Sequence, residues 1–198
     1  MAVQFPLLTL DVTLKGVTNP TVSRTIQVHG SFSFFQLHLV INYAFGWQNA
    51  HLHEFSSPKQ KKLVIGDPAN AEWDERETTD EYETLVTDFL QQTGDRMVYL
   101  YDFGDGWEHD IVVKAVMQVP KNKLEVKLLG AMGACPPEDV GGVYGYAQLK
   151  VIMTNPAHKE YKSYRIWLGL GATEKFNPWD SGFLSLFLEV AKLGKGRK

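Results

Sequence analysis

The chain has one cysteine, no long apolar block and no long run of like charge, and each shortage removes a class of protein. A single thiol, Cys135, can form neither an internal disulfide framework nor a multi-thiolate zinc site, which suits a reducing compartment. The longest apolar stretch, Phe32 to Phe45, is broken by Ser33, Gln36, His38 and Asn42 and is too short to span a bilayer. The first residues, MAVQFPLLTLDVTLKG, lack a basic leader and alternate apolar with polar. No signal peptide is expected, and the protein is expected to be cytoplasmic, with no membrane partner. A net charge of −3 offers no overall attraction to nucleic acid. Only two small basic clusters occur, Lys59/Lys61/Lys62 and Lys192/Lys195/Arg197/Lys198. They read as a solvated turn and a chain end, so the charge argues against a nucleic-acid partner.

Several catalytic signatures are also missing. Asp102-Phe103-Gly104 matches the kinase metal-binding tripeptide, but no H-R-D loop, glycine-rich lid or strand lysine accompanies it. Gly104-Asp105-Gly106 does not open a helical pattern, so it is not a phosphate cradle, and no Gly-x-Ser-x-Gly elbow is present. Cys135 is followed by Pro136 and Pro137, a rigid turn and not the helix N-terminus that activates a thiol.

What is present begins with 44% hydrophobic residues, enough for the core of one domain over 1–198. Leu8, Leu10, Val12 and Leu14 alternate with polar residues, as do Val22, Arg24, Ile26 and Val28, which predicts an antiparallel hairpin. Arg24 falls on the apolar side, and there it must sit at the sheet margin or meet a carboxylate. Ser33 and Gln36 spell a capping box, Phe32 and Leu37 a staple, and Gly46 a stop. Between them Leu37, Val40, Ile41, Ala44 and Phe45 form one helical stripe, with His38 off it at a solvent-facing or sheet-contacting position. "AHLHEF" and "KKLVIGDP" read as a second hairpin, residues 67–80 as a long loop, Glu81 to Gln92 as a helix, and Leu124 to Leu129 as a strand. Helices are predicted at Tyr146–Met153, His158–Leu168 and Phe183–Leu193. The pattern predicts an α+β fold: an antiparallel sheet of hairpins packed with helices, sheet-rich over 1–130, with a mostly helical C-terminal part over 143–194.

The least generic stretch is "YLYDFGDGWEHDIVV", Tyr99 to Val113. A type I′ turn at Asp105-Gly106 would set Gly104 opposite Trp107 and Asp102 opposite His109, with Val98, Leu100, Ile111 and Val113 facing the core. His51 and His53, spaced H-x-H on a strand, project to one side about 7 Å apart. With His109 and Asp102 or Asp105 they would offer nitrogen and oxygen ligands to a divalent metal ion. The alternative is that these histidines bond backbone and acids at a sheet–loop junction. Glu138 and Asp139, beside Gly141 and Gly142, form an acidic loop that is either a helix entry or a second wall of a site.

Taken together, "HLHEF" (51–55), "GDP" (66–68), "YDFGDGWEH" (101–109), "ACPPEDVGG" (134–142), "GY" (145–146) and "NPAHKEY" (155–161) resemble, in order, the plasmid pRiA4b ORF-3-like family. Some of its members are labelled passenger proteins of insertion elements. The resemblance implies an α+β fold and one shared site, association with mobile DNA, and no established activity. Three functions follow. The first is a module binding a small ligand or protein partner through Tyr101, Phe103, Gly104, Gly106, Trp107, Glu138 and Asp139. The second is a metal-dependent hydrolase or transferase with His51, His53 and His109 as ligands and Asp102, Asp105 or Glu108 as candidate catalytic groups. The third is a nucleic-acid-related protein, which the genetic company suggests and the charge does not.

Overall fold

The computed structural model describes residues 4–73, 76–121, 124 and 126–181. Its described strands are β1 (Gln4–Leu14), β2 (Ser23–His29), β3 (His53–Ser57), β4 (Gln60–Gly66), β5 (Glu77–Asp80), β6 (Arg96–Tyr101), β7 (Trp107–Pro120) and β8 (Val126–Met132). They form one eight-stranded sheet in the order β5-β4-β3-β6-β7-β1-β2-β8. The apolar alternation of β1 dictates its faces: Leu8, Leu10, Val12 and Leu14 are buried, and Thr9, Asp11 and Thr13 only partly so. In β2, Arg24, Ile26 and Val28 take the same core side, continued by Val22 just before the strand.

Helix α1 (Phe34–Phe45) starts where its caps direct. Ser33 Oγ accepts from the Gln36 amide, Gln36 Oε1 accepts from the Ser33 amide, and Gly46 closes the helix at φ +83°. Its buried stripe packs into the same core as Phe55, Tyr99, Tyr101 and Ile111 of the sheet. His38 is a sheet contact and wholly buried. Arg24 is buried without a carboxylate. Its guanidinium donates to the carbonyls of Ala44, Ser23, Met132, Gly133 and Ser181 and lies 5.1 Å from the centre of the Phe45 ring.

The fold departs from the α+β expectation in two ways. The sheet is mixed, because β4 and β5 run parallel from Leu63↔Glu77 to Gly66↔Asp80, and β5 falls in the segment read as loop. Its sequence, ETTD, carries no apolar alternation to betray a strand. Over its described residues the C-terminal part is not mostly helical. Among the described residues it holds α2 (Gly142–Thr154) and the short α3 (Tyr161–Trp167), and residues 168–181 are turns and loop. Gly169 at φ +65° ends α3, and the predicted helix Phe183–Leu193 lies outside the described residues. The predicted helix Glu81–Gln92 is reduced to a single 3₁₀ turn, Val86–Asp88. Local side-chain bonds compete with a helix there. Asp80 Oδ1 accepts from the Tyr82 amide and Asp88 Oδ2 from the Leu85 amide, while Leu85 bridges to Ser33 at the start of α1.

The β6–β7 register also differs from the expected one. Tyr101 pairs with Trp107 and Tyr99 with His109, so the residue opposite His109 is three positions earlier than Asp102. An odd shift exchanges the faces of β6: Met97, Tyr99 and Tyr101 enter the core, while Val98 and Leu100 are only partly buried. Asp102 causes it. Its backbone turns left-handed at φ +56°, its Oδ1 accepts from the Gly104 and Asp105 amides, and its carbonyl accepts from Gly106. The connection is therefore a loop closed by an aspartate, wider than a type I′ turn.

Candidate functional site: a histidine among carboxylates

The loop Asp102–Gly106 does not stand free. Asp105 Oδ2 accepts from the Gly141 amide, and a Cβ on Gly142, which holds φ +66°, would lie 2.6 Å from the Asp105 carbonyl oxygen. Only glycine permits that approach, so the hairpin tip seats on the segment 138–142 that leads into α2. Two further bonds fix this segment from the end of α1. The Trp47 indole donates to the Pro136 carbonyl, and the Gln48 amide donates to Glu138 Oε1.

His51 enters this junction just ahead of β3. Its Nε2 lies 3.7 Å from Asp102 Oδ2, 3.5 Å from Glu138 Oε2 and 3.5 Å from Asp139 Oδ1. These are ion-pair separations, longer than good hydrogen bonds. One ligand atom from each of His51, Asp102 and Glu138 falls within 4.8 Å of the others. Tyr101 donates from its hydroxyl to Glu138 Oε1 and accepts from the Ala50 amide. Burial first, and the Glu138 charge second, push its phenol well above the ordinary value, so it remains a donor. Glu138 Oε2 is buried without a hydrogen-bond partner. Both Asp102 and Asp139 hold φ +56°, an uncommon conformation outside glycine that is tolerated best by Asn and Asp.

The structure therefore brings together His51, Tyr101, Asp102, Asp105, Glu138 and Asp139, but not the three histidines. His53 points to a different acid, with Nε2 2.7 Å from Glu81 Oε2, and stacks on His38 with ring centres 3.4 Å apart. His109 is sealed in the core, edge-on to Phe45 and Trp47, with Nδ1 3.2 Å from the Tyr99 carbonyl. Burial pushes its pKa down to about 3. Trp107 is fully buried against Trp47 and builds the core, so it is no open wall. Glu108 pairs with Lys15 at a half-exposed position on the other face of β7. Phe103 is half exposed and lines a separate recess of about 50 Å³ that includes His53 and Gly66.

Asp139 has a second face. It lines a cleft of about 270 Å³ together with Val140 and with Ser163, Tyr164 and Trp167 of α3. Tyr164 and Trp167 sit three residues apart on that helix, and no local sequence signal marked them. Of the other tryptophans, Trp47 is core, Trp179 is exposed, and the side chain of Trp73 lies outside the described residues. No described helix is long and apolar enough to cross a membrane.

A mixed eight-stranded sheet that delivers a hairpin tip, a histidine and an acidic glycine loop to one point defines a small, sheet-dominated domain with a polar site at a strand junction. The chain belongs to the plasmid pRiA4b ORF-3-like protein family, whose model matches residues 6–183. It is 37% identical over 161 residues to the uncharacterized protein y4hQ of Sinorhizobium fredii (strain NBRC 101917 / NGR234), covering 81% of this chain and 79% of that one. It is also similar to the crystal structure of MM3350, a protein of unknown function from Methanosarcina mazei Go1. The TM-score is 0.74 with 27% identity, over 92% of this chain and 99% of that one.

Proposed function

We propose that this chain is a ligand-binding module whose site runs from the His51–Asp102–Glu138 cluster into the cleft beside α3. One observation carries the reading. Asp139 faces the His51 imidazole at 3.5 Å and also lines the cleft with Tyr164 and Trp167. A concave site with a few convergent polar groups at one end and aromatic surface at the other suits a small ligand with a polar head and a planar, apolar body. The cleft volume of about 270 Å³ matches a fragment-sized molecule. A hydrolase using His51, His53 and His109 has less support, since His53 is engaged with Glu81 and His109 is sealed in the core. A nucleic-acid role gains nothing from an acidic site.

The test is a fragment screen on the full chain by ligand-observed NMR, using aromatic fragments that carry an amine, a carboxylate or a hydroxyl. Fragments that bind the native chain and lose binding in both Trp167→Ala and Asp139→Ala support the reading. Fragments that bind these variants unchanged, or no binding at all, overturn it.

A further inference from the structure

We infer that the polar end of this site holds one divalent first-row metal ion, ligated by His51 Nε2, Asp102 Oδ2 and Glu138 Oε2. The inference rests on the binding site proposed above and names what occupies its polar end. It starts from how the two carboxylates are held. Each has one oxygen committed to the protein and the other turned inward. Asp102 Oδ1 takes the Gly104 and Asp105 amides, and Glu138 Oε1 takes the Gln48 amide and the Tyr101 hydroxyl. That is how outer partners orient carboxylate ligands around an ion.

Among the described residues the inward oxygens are not held in this way. The Asp102 side chain is only 8% exposed, and its Oδ2 lies 3.7 Å from His51 Nε2. Glu138 Oε2 is shut off from water and accepts no hydrogen bond. Burying carboxylate oxygens in this state is costly unless a cation meets them. The neighbouring His51 nitrogen at 3.5 Å and 3.7 Å, beyond good hydrogen-bond length, compensates this only in part.

The spacing suits an ion. Bonds of about 2.1 Å in tetrahedral arrangement separate ligand atoms by roughly 3.4 Å. The two distances from His51 are 3.7 and 3.5 Å, and the whole set lies within 4.8 Å. The two His51 separations thus lie within a few tenths of an ångström of that spacing, and the carboxylates close on the ion from within 4.8 Å of each other. The imidazole nitrogen among the donors favours zinc over magnesium or calcium, while the two carboxylates also suit manganese. Asp139, whose side chain is 75% exposed, lies 3.5 Å from His51 Nε2 and also lines the cleft, so it marks the side on which a fourth position would meet a ligand. The ion would thus present an open coordination site to the polar head of a ligand, as metal centres with three protein ligands do.

The experiment is calorimetric titration of the full chain, freed of metal by chelator dialysis, with zinc chloride and manganese chloride. One ion per chain is expected for at least one metal, with affinity falling tenfold or more in His51→Ala and in Glu138→Gln. His158→Ala, outside the site, should bind as the native chain does. Circular dichroism checks that each variant is folded; should Glu138→Gln fail that check, His51→Ala, whose side chain is partly exposed, decides. Absence of binding by both metals, or equal binding in His51→Ala, overturns the inference. Fragments bound at the cleft in a chain that takes no ion would defeat the metal centre alone. An ion bound in a chain that takes no fragment would defeat the ligand-binding reading alone.

Discussion

The imidazoles of His38 and His53 lie face to face, with ring centres 3.4 Å apart and planes parallel within 1°. Only His53 meets a carboxylate, Glu81. His38 instead joins a neutral network whose protons can be assigned by elimination. Asn49 Oδ1 can only accept, so His38 Nε2 donates to it, and Nδ1 must accept from the Tyr99 hydroxyl. That hydroxyl in turn accepts from Asn42 Nδ2. Burial, and then the neighbouring His53, push the His38 pKa down to about 3.

This arrangement sets a pH dependence. Two core histidines, His38 and His109, have folded pKa values of about 3 against an ordinary 6.5. Above pH 6.5 both are neutral in either state and their contribution is complete. Between 6.5 and 3 the unfolded chain takes up protons that the folded chain refuses, so stability falls by roughly 1.4 kcal/mol per pH unit for each histidine. Below 3 the loss levels off. Urea unfolding followed from pH 7.5 to 4 should show this slope, and His109→Phe should make it shallower by roughly 1.4 kcal/mol per pH unit. An unchanged slope in the variant would contradict the assignment.

Arg24 supports a second prediction. Its fork satisfies carbonyls from the end of α1, from β2 and from β8 together with Gly133. Arg24→Met should destabilise the chain by about 2–4 kcal/mol, because those acceptors lose their donors in a buried setting. Arg24→Lys should not restore stability, since one ammonium cannot reproduce the planar fork. Chemical denaturation of the two variants measures both effects.

The contact between hairpin tip and acidic loop is equally open to test. Gly142→Ala places a methyl 2.6 Å from the Asp105 carbonyl at a backbone φ of +66°. The loop must withdraw, at a cost of about 1–3 kcal/mol. Hydrogen exchange at the Gly141 and Gln48 amides, both bonded to acids of the site, should accelerate in this variant while exchange in β1 stays slow.

Tyr101 links core and site. Tyr101→Phe keeps the ring stacked on Trp47 at 4.8 Å and deletes the bonds to Glu138 and Ala50. A loss of about 1–2 kcal/mol is expected on thermal unfolding. A neutral result would mean that water replaces the hydroxyl and that the site is wetter than its geometry suggests.

Much of this fold could be read in the sequence wherever one physical signal dominated. Alternation placed β1 and β2 and the buried faces of both, and the capping box placed the start of α1 at Ser33. Composition and motif singled out segments 102–106 and 138–142 and His51, which the structure brings together, and also His53, which it turns to Glu81 instead. The rest depended on distant partners. A single backbone choice at Asp102 moved the β6–β7 register by three residues and replaced the expected Asp102–His109 pair with Tyr99–His109. The partner of His53 is a buried glutamate in a segment that reads as helix but folds as a turn. β5 is polar throughout and is a strand only because β4 lies beside it. The aromatic wall at Tyr164 and Trp167 is set by where a short helix docks, which no local pattern encodes.

The central claim is that hairpin tip, His51 and acidic loop form one ligand site continuous with the cleft at α3. Amide chemical-shift mapping of a bound aromatic fragment tests it most directly. Shifts should appear together at Gln48, Gly104, Asp105 and Gly141, whose amides bond the acids of the site, and at Tyr164 and Trp167 of the cleft. Shifts confined to one of these groups, or clustered at the far edge around Lys59, would contradict it.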